Sequence, residues 1–359
     1  MKKNLPLLLS LALALTAVLL FAFAAGGDDS DPLASLSYLK GEFTTKVERQ
    51  VDEKLDASDA ALSQSGGSPQ SGSASWQERR LKQSDSIKGP TGSHLLLLAG
   101  DVQLTYPTGT VLDITTGTVA PSGSHLTANH RYLVAEETQA EFQIRSKTAV
   151  VQMQGPCTLL PSNTTDYNAM ASALKTLHLF QGTFTGYGEG FDLELAPTRL
   201  QALIMFIRVL GEEDAALAWN GTTPFQDIGA TTSAAKYVGY AYEKGYTNGY
   251  SPTSFRPGQA VTASQYTEFL LRALGHSSSA NTDLSTTLDR AVQAGILQEA
   301  ERASLNDASF LRADLVFLSY RALDAQLADG SGSLRDRLLI QNVFTPAESA
   351  AAEQLVSSH

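Results

Sequence analysis

Residues 262–275 restate residues 198–211 at an offset of 64 positions, and this self-similarity restricts the fold more than any other feature of the chain. Thr262 falls on Thr198, Gln265 on Gln201, Arg272 on Arg208, Leu274 on Leu210 and Gly275 on Gly211, with Phe255 on Phe191 just ahead. A shift of 49 positions the other way sets Ala263 on Arg312, Phe269 on Leu318, Arg272 on Arg321 and Leu274 on Leu323. Three repeats are therefore predicted, over 166–211, 225–275 and 283–324. Each is a helical hairpin too small to bury its apolar face without its neighbours.

The middle repeat reads as helix, glycine-punctuated loop, helix. Gly245, Gly249, Pro252 and Pro257 interrupt the helical pattern, since glycine takes positive φ readily and proline cannot continue a helix. Thr262 is placed to cap the second helix, with Gln265 three residues on completing a capping box and Gly275 as the stop. In the third repeat the cap position holds Leu311, and Asp314 suits the positive end of the helix.

Phe225-Gln-Asp227-Ile, the run Ala241-Tyr-Glu-Lys-Gly-Tyr-Thr-Asn-Gly-Tyr-Ser-Pro-Thr-Ser-Phe-Arg-Pro257 and Leu270-Leu-Arg-Ala-Leu-Gly275 resemble the S-layer homology family. The likeness covers about 166–324. It implies an all-helical, pseudo-threefold bundle of three repeats that holds exported proteins to the cell wall by binding secondary cell-wall polysaccharide, often pyruvylated, in grooves between repeats. The family's helix start is Thr-Arg-Ala-Glu, with the arginine facing the ligand. Here Pro197-Thr-Arg199-Leu-Gln201 and Leu311-Arg312-Ala-Asp314 keep the arginine, whereas Val261-Thr-Ala263-Ser-Gln265 does not. A guanidinium forks two N–H groups onto a carboxylate and stays charged at any relevant pH. Arg199 and Arg312 are thus the expected anion-binding residues, at helix N-termini where the dipole also favours an anion. Tyr250, in the loop, is a candidate for stacking on a sugar ring, and Asp227 either caps the following segment or lines a groove. Tyr237, Tyr240 and Tyr246 fall on the helix stripe and are expected in the core.

At the N-terminus, Lys2-Lys3 precedes an apolar run ending in small residues at Ala25, the pattern of an export signal. Cleavage after Ala22-Phe-Ala24 and retention as a membrane anchor both place the remainder outside the cytoplasm. Residues 28–63 read as an acidic helical spacer with Phe43, Val47, Val51 and Leu55 on one stripe. Residues 64–90 read as a flexible linker, in which Glu78-Arg-Arg-Leu-Lys82 is a solvated patch of mixed charge. A net charge of −11 with no basic face excludes nucleic acid as a general partner. A membrane is a partner only if residues 1–25 are retained.

Residues 91–161 change character. Short runs rich in β-formers at 95–98, 102–106, 111–115, 132–135, 140–145 and 149–153 are separated by glycine and proline, and several alternate apolar with polar residues. A small antiparallel all-β sandwich or roll is predicted, followed by the helical bundle. Cys157 stands alone, so no internal disulfide forms, and a buried strand position is expected for it. His94, His125 and His130 lack the spacing of a metal site. Ser122 and Ser124 around Gly123 do not form a nucleophile elbow, and Gly186-Tyr-Gly188-Glu-Gly190 is a repeat turn. No cofactor or catalytic constellation is expected. Beyond Gly330-Ser-Gly-Ser333 a helical tail over 331–359 is predicted, its last helix opened by Thr345, Pro346 and Glu348. The whole reads as a non-enzymatic protein of the cell surface. The alternative is a structural or protein-interaction subunit whose repeats no longer bind sugar.

Overall fold

Apolar–polar alternation builds the first half of the fold. The computed structural model describes residues 73–182, 185–278, 280, 283–305 and 309–357. The expected export signal over 1–25 and acidic spacer over 28–63 lie outside the described residues. Among the described residues, ten strands run from β1 (Ser73–Lys82), β2 (Ser86–Pro90) and β3 (His94–Ala99) through β4 (Val102–Thr105), β5 (Val111–Asp113) and β6 (Thr118–Val119) to β7 (Arg131–Val134), β8 (Gln139–Ile144), β9 (Thr148–Gly155) and β10 (Thr158–Leu160). Every pairing is antiparallel. One sheet has the order β1-β9-β3-β7-β5-β6 and the other β10-β2-β8-β4. Alternate residues, among them Leu95, Leu97, Tyr132, Val134 and Val151 of the first sheet and Ile87, Val102, Leu104, Phe142 and Ile144 of the second, share one buried core.

Two expectations give way here. The flexible linker does not extend to residue 90, because β1 pairs with β9 from Gln77↔Met153 to Lys82↔Thr148 and β2 pairs with both β8 and β10. Nor is the patch at residues 78–82 solvated throughout, since only Arg79 is exposed. Leu81 points into the sandwich, Arg80 points the opposite way toward the helices, and buried Lys82 pairs with Asp85 at 3.3 Å. Cys157 lies in the turn between β9 and β10 rather than in a strand. Gly155, at φ +94°, bends the chain before the thiol can be fully covered, and partial burial raises its pKa.

The second half is helical: α1 (Tyr167–Thr176), α2 (Arg199–Val209), α3 (Glu213–Ala218), α4 (Ser233–Glu243), α5 (Ala263–Ala273), α6 (Thr287–Gln293), α7 (Glu299–Ser304), α8 (Arg312–Ala322), α9 (Leu334–Ile340) and α10 (Pro346–Ser357). Helices α2, α5 and α8 pack on one another pairwise, and α4, α6 and α1 pack on α2, α5 and α8 respectively. Leu203, Phe206, Leu270, Leu271, Val316 and Leu318 belong to a single buried core. Gly211 and Gly275 end α2 and α5 at φ +70° and +83°, as the matching stops predict. The box at the start of α10 also forms, Glu348 accepting from Thr345 N–H at 2.7 Å and Thr345 Oγ1 from Glu348 N–H at 3.2 Å. No helix among the described residues is long and apolar enough to cross a membrane.

The described residues, from 73 onward, belong to one compact unit. The strands meet the helices along β1, which packs on α1 and on the tight turn Gly188–Gly190.

Candidate functional site

Backbone bonds between neighbouring hairpins place the helix starts. Arg199 N–H donates to Gln259 C=O at 2.7 Å and Leu200 N–H to Pro257 C=O at 3.1 Å. At the acceptors' equivalents 64 positions earlier, Leu195 C=O accepts from Arg312 N–H at 2.8 Å and Leu193 C=O from Ala313 N–H at 3.0 Å. Helices α2 and α8 therefore begin against a loop from elsewhere in the chain, and a groove opens beside each of these two starts.

The larger groove, about 600 Å³, is lined by Arg199 from α2, by Tyr242, by the loop 247–252 and by Gln265, Glu268, Phe269 and Arg272 of α5. The smaller, about 230 Å³, is lined by Arg312 and Leu315 of α8, by Phe180 to Gly182, and by Gln201, Ile204, Met205 and Arg208 of α2. The offset of 64 maps Gln265, Phe269 and Arg272 onto Gln201, Met205 and Arg208. The two grooves thus have one design, an arginine from one helix start facing a glutamine and a second arginine on the next helix.

Arg199 is 7% exposed and held from several sides. Its guanidinium donates to Gly249 C=O at 3.2 Å and to Gln265 Oε1 at 3.3 Å, and lies 4.9 Å from the centroid of the Phe255 ring. Its Nε is buried without a partner. Burial first, and the neighbouring charge of Arg272 second, pull its pKa down to about 10, so it remains cationic at neutral pH. Arg312 donates from Nε to Phe191 C=O at 3.1 Å, and burial lowers its pKa too, against the raising influence of Asp192 and Glu194. Glu268, 2% exposed, is neutralised by Arg272 at 3.0 Å and Arg290 at 2.6 Å.

The structure corrects the expected use of the helix dipole. The first N–H groups of α2 are taken by Gln259, Pro257 and the Thr198 hydroxyl, and those of α8 by Leu195 and Leu193. An anion in either groove meets guanidinium groups rather than free backbone donors. The box predicted at Thr262 is only half made. Thr262 accepts from Gln265 N–H at 3.2 Å, while the Gln265 side chain is recruited by Arg199. In α2 the Thr198–Gln201 box is complete.

Tyr250 lies in the larger groove, 52% exposed, with the Arg256 guanidinium 3.4 Å from its ring centroid. Asp227 is not among the groove's lining residues. Its carboxylate accepts from Phe255 N–H at 2.9 Å, Arg256 N–H at 2.7 Å and Ser254 Oγ at 2.8 Å, and so fixes the segment that carries the Phe255 ring. Slight burial, which alone would raise its pKa, is outweighed by these bonds, and the carboxyl is held below its usual range. Tyr237, Tyr240 and Tyr246 pack in or against the core, their hydroxyls donating to Glu213 or Glu212.

Residue-by-residue inspection overlooks Gln265, Glu268, Arg272, Gln201 and Arg208 as groove residues. The signal was present, because Arg272/Arg208 and Gln265/Gln201 are among the coincidences at offset 64. In the β sandwich, His125 pairs with Asp101 at 2.5 Å and His130 with Asp113 at 2.7 Å, and Arg131 lies beside His94. No group of three or more potential metal ligands occurs among the described residues.

The S-layer homology domain family matches residues 224–266, a stretch that includes Asp227, the loop 247–252 and the start of α5. No curated protein matches the chain. S-layer homology domains are non-catalytic anchoring domains that bind cell-wall polysaccharide in general, which supports a cell-envelope attachment role. One wall of the larger groove falls within the matched stretch, and the chain is an S-layer homology domain-containing protein.

Proposed function

We propose that this is an exported, non-enzymatic protein held non-covalently at the cell surface by secondary cell-wall polysaccharide. Three S-layer homology-like repeats, 166–211, 225–275 and 283–324, would form a pseudo-threefold bundle around α2, α5 and α8. The observation that carries this reading is the common design of the two grooves, Arg199 with Gln265 and Arg272 in one, Arg312 with Gln201 and Arg208 in the other. Two arginines converging on a space of that size suit a carboxylate-bearing sugar substituent such as a pyruvyl group. Tyr250 would offer an apolar ring to the sugar, and Asp227 would act through the loop it fixes. Residues 1–25 would direct export, either cleaved or kept as an anchor. Residues 28–63 and the shortened linker would space the sandwich and repeats from that end, and 331–359 would close the chain as a helical tail.

A second reading is favoured by one observation. At the third equivalent position stands Ala263, fully buried and without a cationic group. The repeats would then serve a structural or protein-interaction subunit of the envelope. Co-sedimentation of the purified full chain with wall sacculi that retain their secondary polysaccharide, beside sacculi stripped of it, separates the two. The anchor requires binding to intact walls only, reduced by about tenfold or more in each of Arg199→Ala and Arg312→Ala, the loss expected when one charged partner is removed. Equal retention by both wall preparations, or retention of both variants at the level of the parent chain, favours the scaffold.

A further inference from the structure

The segment 188–195, which supplies the acceptors for the start of α8, is gripped from its other side by the β sandwich. Arg80 of β1 donates from Nη1 to Gly188 C=O at 2.6 Å, pairs through Nη2 with Glu194 at 3.2 Å and lies 5.2 Å from the centroid of the Phe191 ring. From Nε it reaches Asn168 Oδ1 of α1 at 2.9 Å. Glu78, two residues earlier on the same face of β1, accepts from Gly188 N–H at 2.6 Å. This approach requires glycine, because a Cβ on residue 188 would fall 2.3 Å from Arg80 Nη1 and its φ is +60°. On the far side of the same segment, Phe191, Leu193 and Leu195 present the carbonyls that Arg312 Nε, Ala313 N–H and Arg312 N–H use.

A second β-sandwich contact reaches the helix itself. Lys147, in the turn between β8 and β9, pairs with Asp314, whose other carboxylate oxygen accepts from Leu311 N–H at 3.0 Å at the helix start. Arg312 thus stands between two clamps from the sandwich, one on the loop it binds and one on the turn it belongs to. The equivalent segment beside Arg199 is held differently, by Asp227 of the same hairpin through Phe255 and Arg256.

We infer that the β sandwich sets the shape of the Arg312 groove and leaves the Arg199 groove alone, with Arg80 and Lys147 as positioning residues. Ligand binding at the first groove is then coupled to docking of the sandwich, whereas binding at the second is not. That functional consequence rests on the anchoring reading above, but the structural coupling does not.

The molecule supplies its own control. Amide exchange followed residue by residue in the full chain compares Arg312 and Ala313, which donate to Leu195 and Leu193, with Arg199 and Leu200, which donate to Gln259 and Pro257. In Arg80→Ala and in Lys147→Ala, exchange should accelerate about tenfold or more at Arg312 and Ala313 and change less than about twofold at Arg199 and Leu200. Equal acceleration at both pairs, as from general destabilisation, or no acceleration at the first pair, overturns the inference. Lys147→Ala removes a side chain that is 22% exposed, from a turn rather than a strand, and keeps the test open if Arg80→Ala fails to fold. Sedimentation with intact walls then reads the functional arm. Arg80→Ala should weaken binding several-fold in an Arg199→Ala background and add nothing in an Arg312→Ala background. A full chain that binds no walls but shows the selective exchange pattern removes the anchoring reading and keeps the coupling.

Discussion

Gly239 sits inside α4, where alanine would ordinarily stabilise the helix by about 1 kcal/mol. Here a Cβ would lie 2.0 Å from Trp219 Cη2, and the indole is tethered by Nε1 donating to Glu243 at 2.7 Å. Displacing that ring costs roughly 1–3 kcal/mol, so the steric cost exceeds the propensity gain. Gly239→Ala should lower the melting temperature in the parent and raise it in a Trp219→Ala background. A sign that does not reverse would show that the indole is not the obstacle. The same contrast between local and distant demands governs what could be read at Arg199. Its identity as a groove residue was legible from the helix start it occupies. Its burial, its stacking on Phe255 and the diversion of the Gln265 side chain were not, since all three depend on groups brought from more than 45 residues away.

Among the elements, the helix starts make the sharpest test. Thr198 both caps and is capped in return, whereas Thr262 receives only one of the two bonds. Thr198→Ala and Thr262→Ala each remove one hydroxyl acceptor from an N–H at 3.2 Å and should each cost about 1 kcal/mol in urea unfolding. Gln201→Ala removes the reciprocal bond from Thr198 N–H and should cost roughly a further 0.5–1 kcal/mol at that helix start. No loss in Gln201→Ala would mean that the reciprocal bond contributes nothing measurable. Strands β3, β4, β5, β7, β8 and β9 were legible because glycine and proline bracket short runs rich in β-formers. Strand β1 was not. Its charged residues match a solvated segment until the register with β9 assigns Leu81 to the sandwich and Arg80 to the helices. The short helices α3 and α7 likewise have no periodic stretch long enough to announce them.

At the level of the whole molecule, carboxylates that hold loops and helix ends make stability depend on acidity. Asp227, Asp113 and Glu213 all have pKa values below their ordinary ranges. In each, some burial that would raise the value is outweighed by hydrogen bonds, from Phe255, Arg256 and Ser254, from His130 and Thr116, and from Arg208 and Tyr237. A carboxyl with a lowered folded-state pKa contributes stability above its unfolded value and loses that contribution as pH falls through the folded one. The melting temperature should accordingly drop from about pH 5 downward, and Asp227→Asn should flatten that slope while lowering stability at pH 7. An unchanged slope would mean the three bonds at Asp227 persist on protonation.

The packing of α1 on α8 has a consequence for how such a chain ends. An open stack of helical hairpins leaves an apolar face at each extremity and needs a modified unit at either end to cover it. Here α4 leans on α2, α6 on α5 and α1 on α8, while α2, α5 and α8 meet one another. Among the described residues, the helix that opens the row is thus covered by the one that would otherwise leave its far end bare, and Ala263 sits within that same set of contacts at the start of α5.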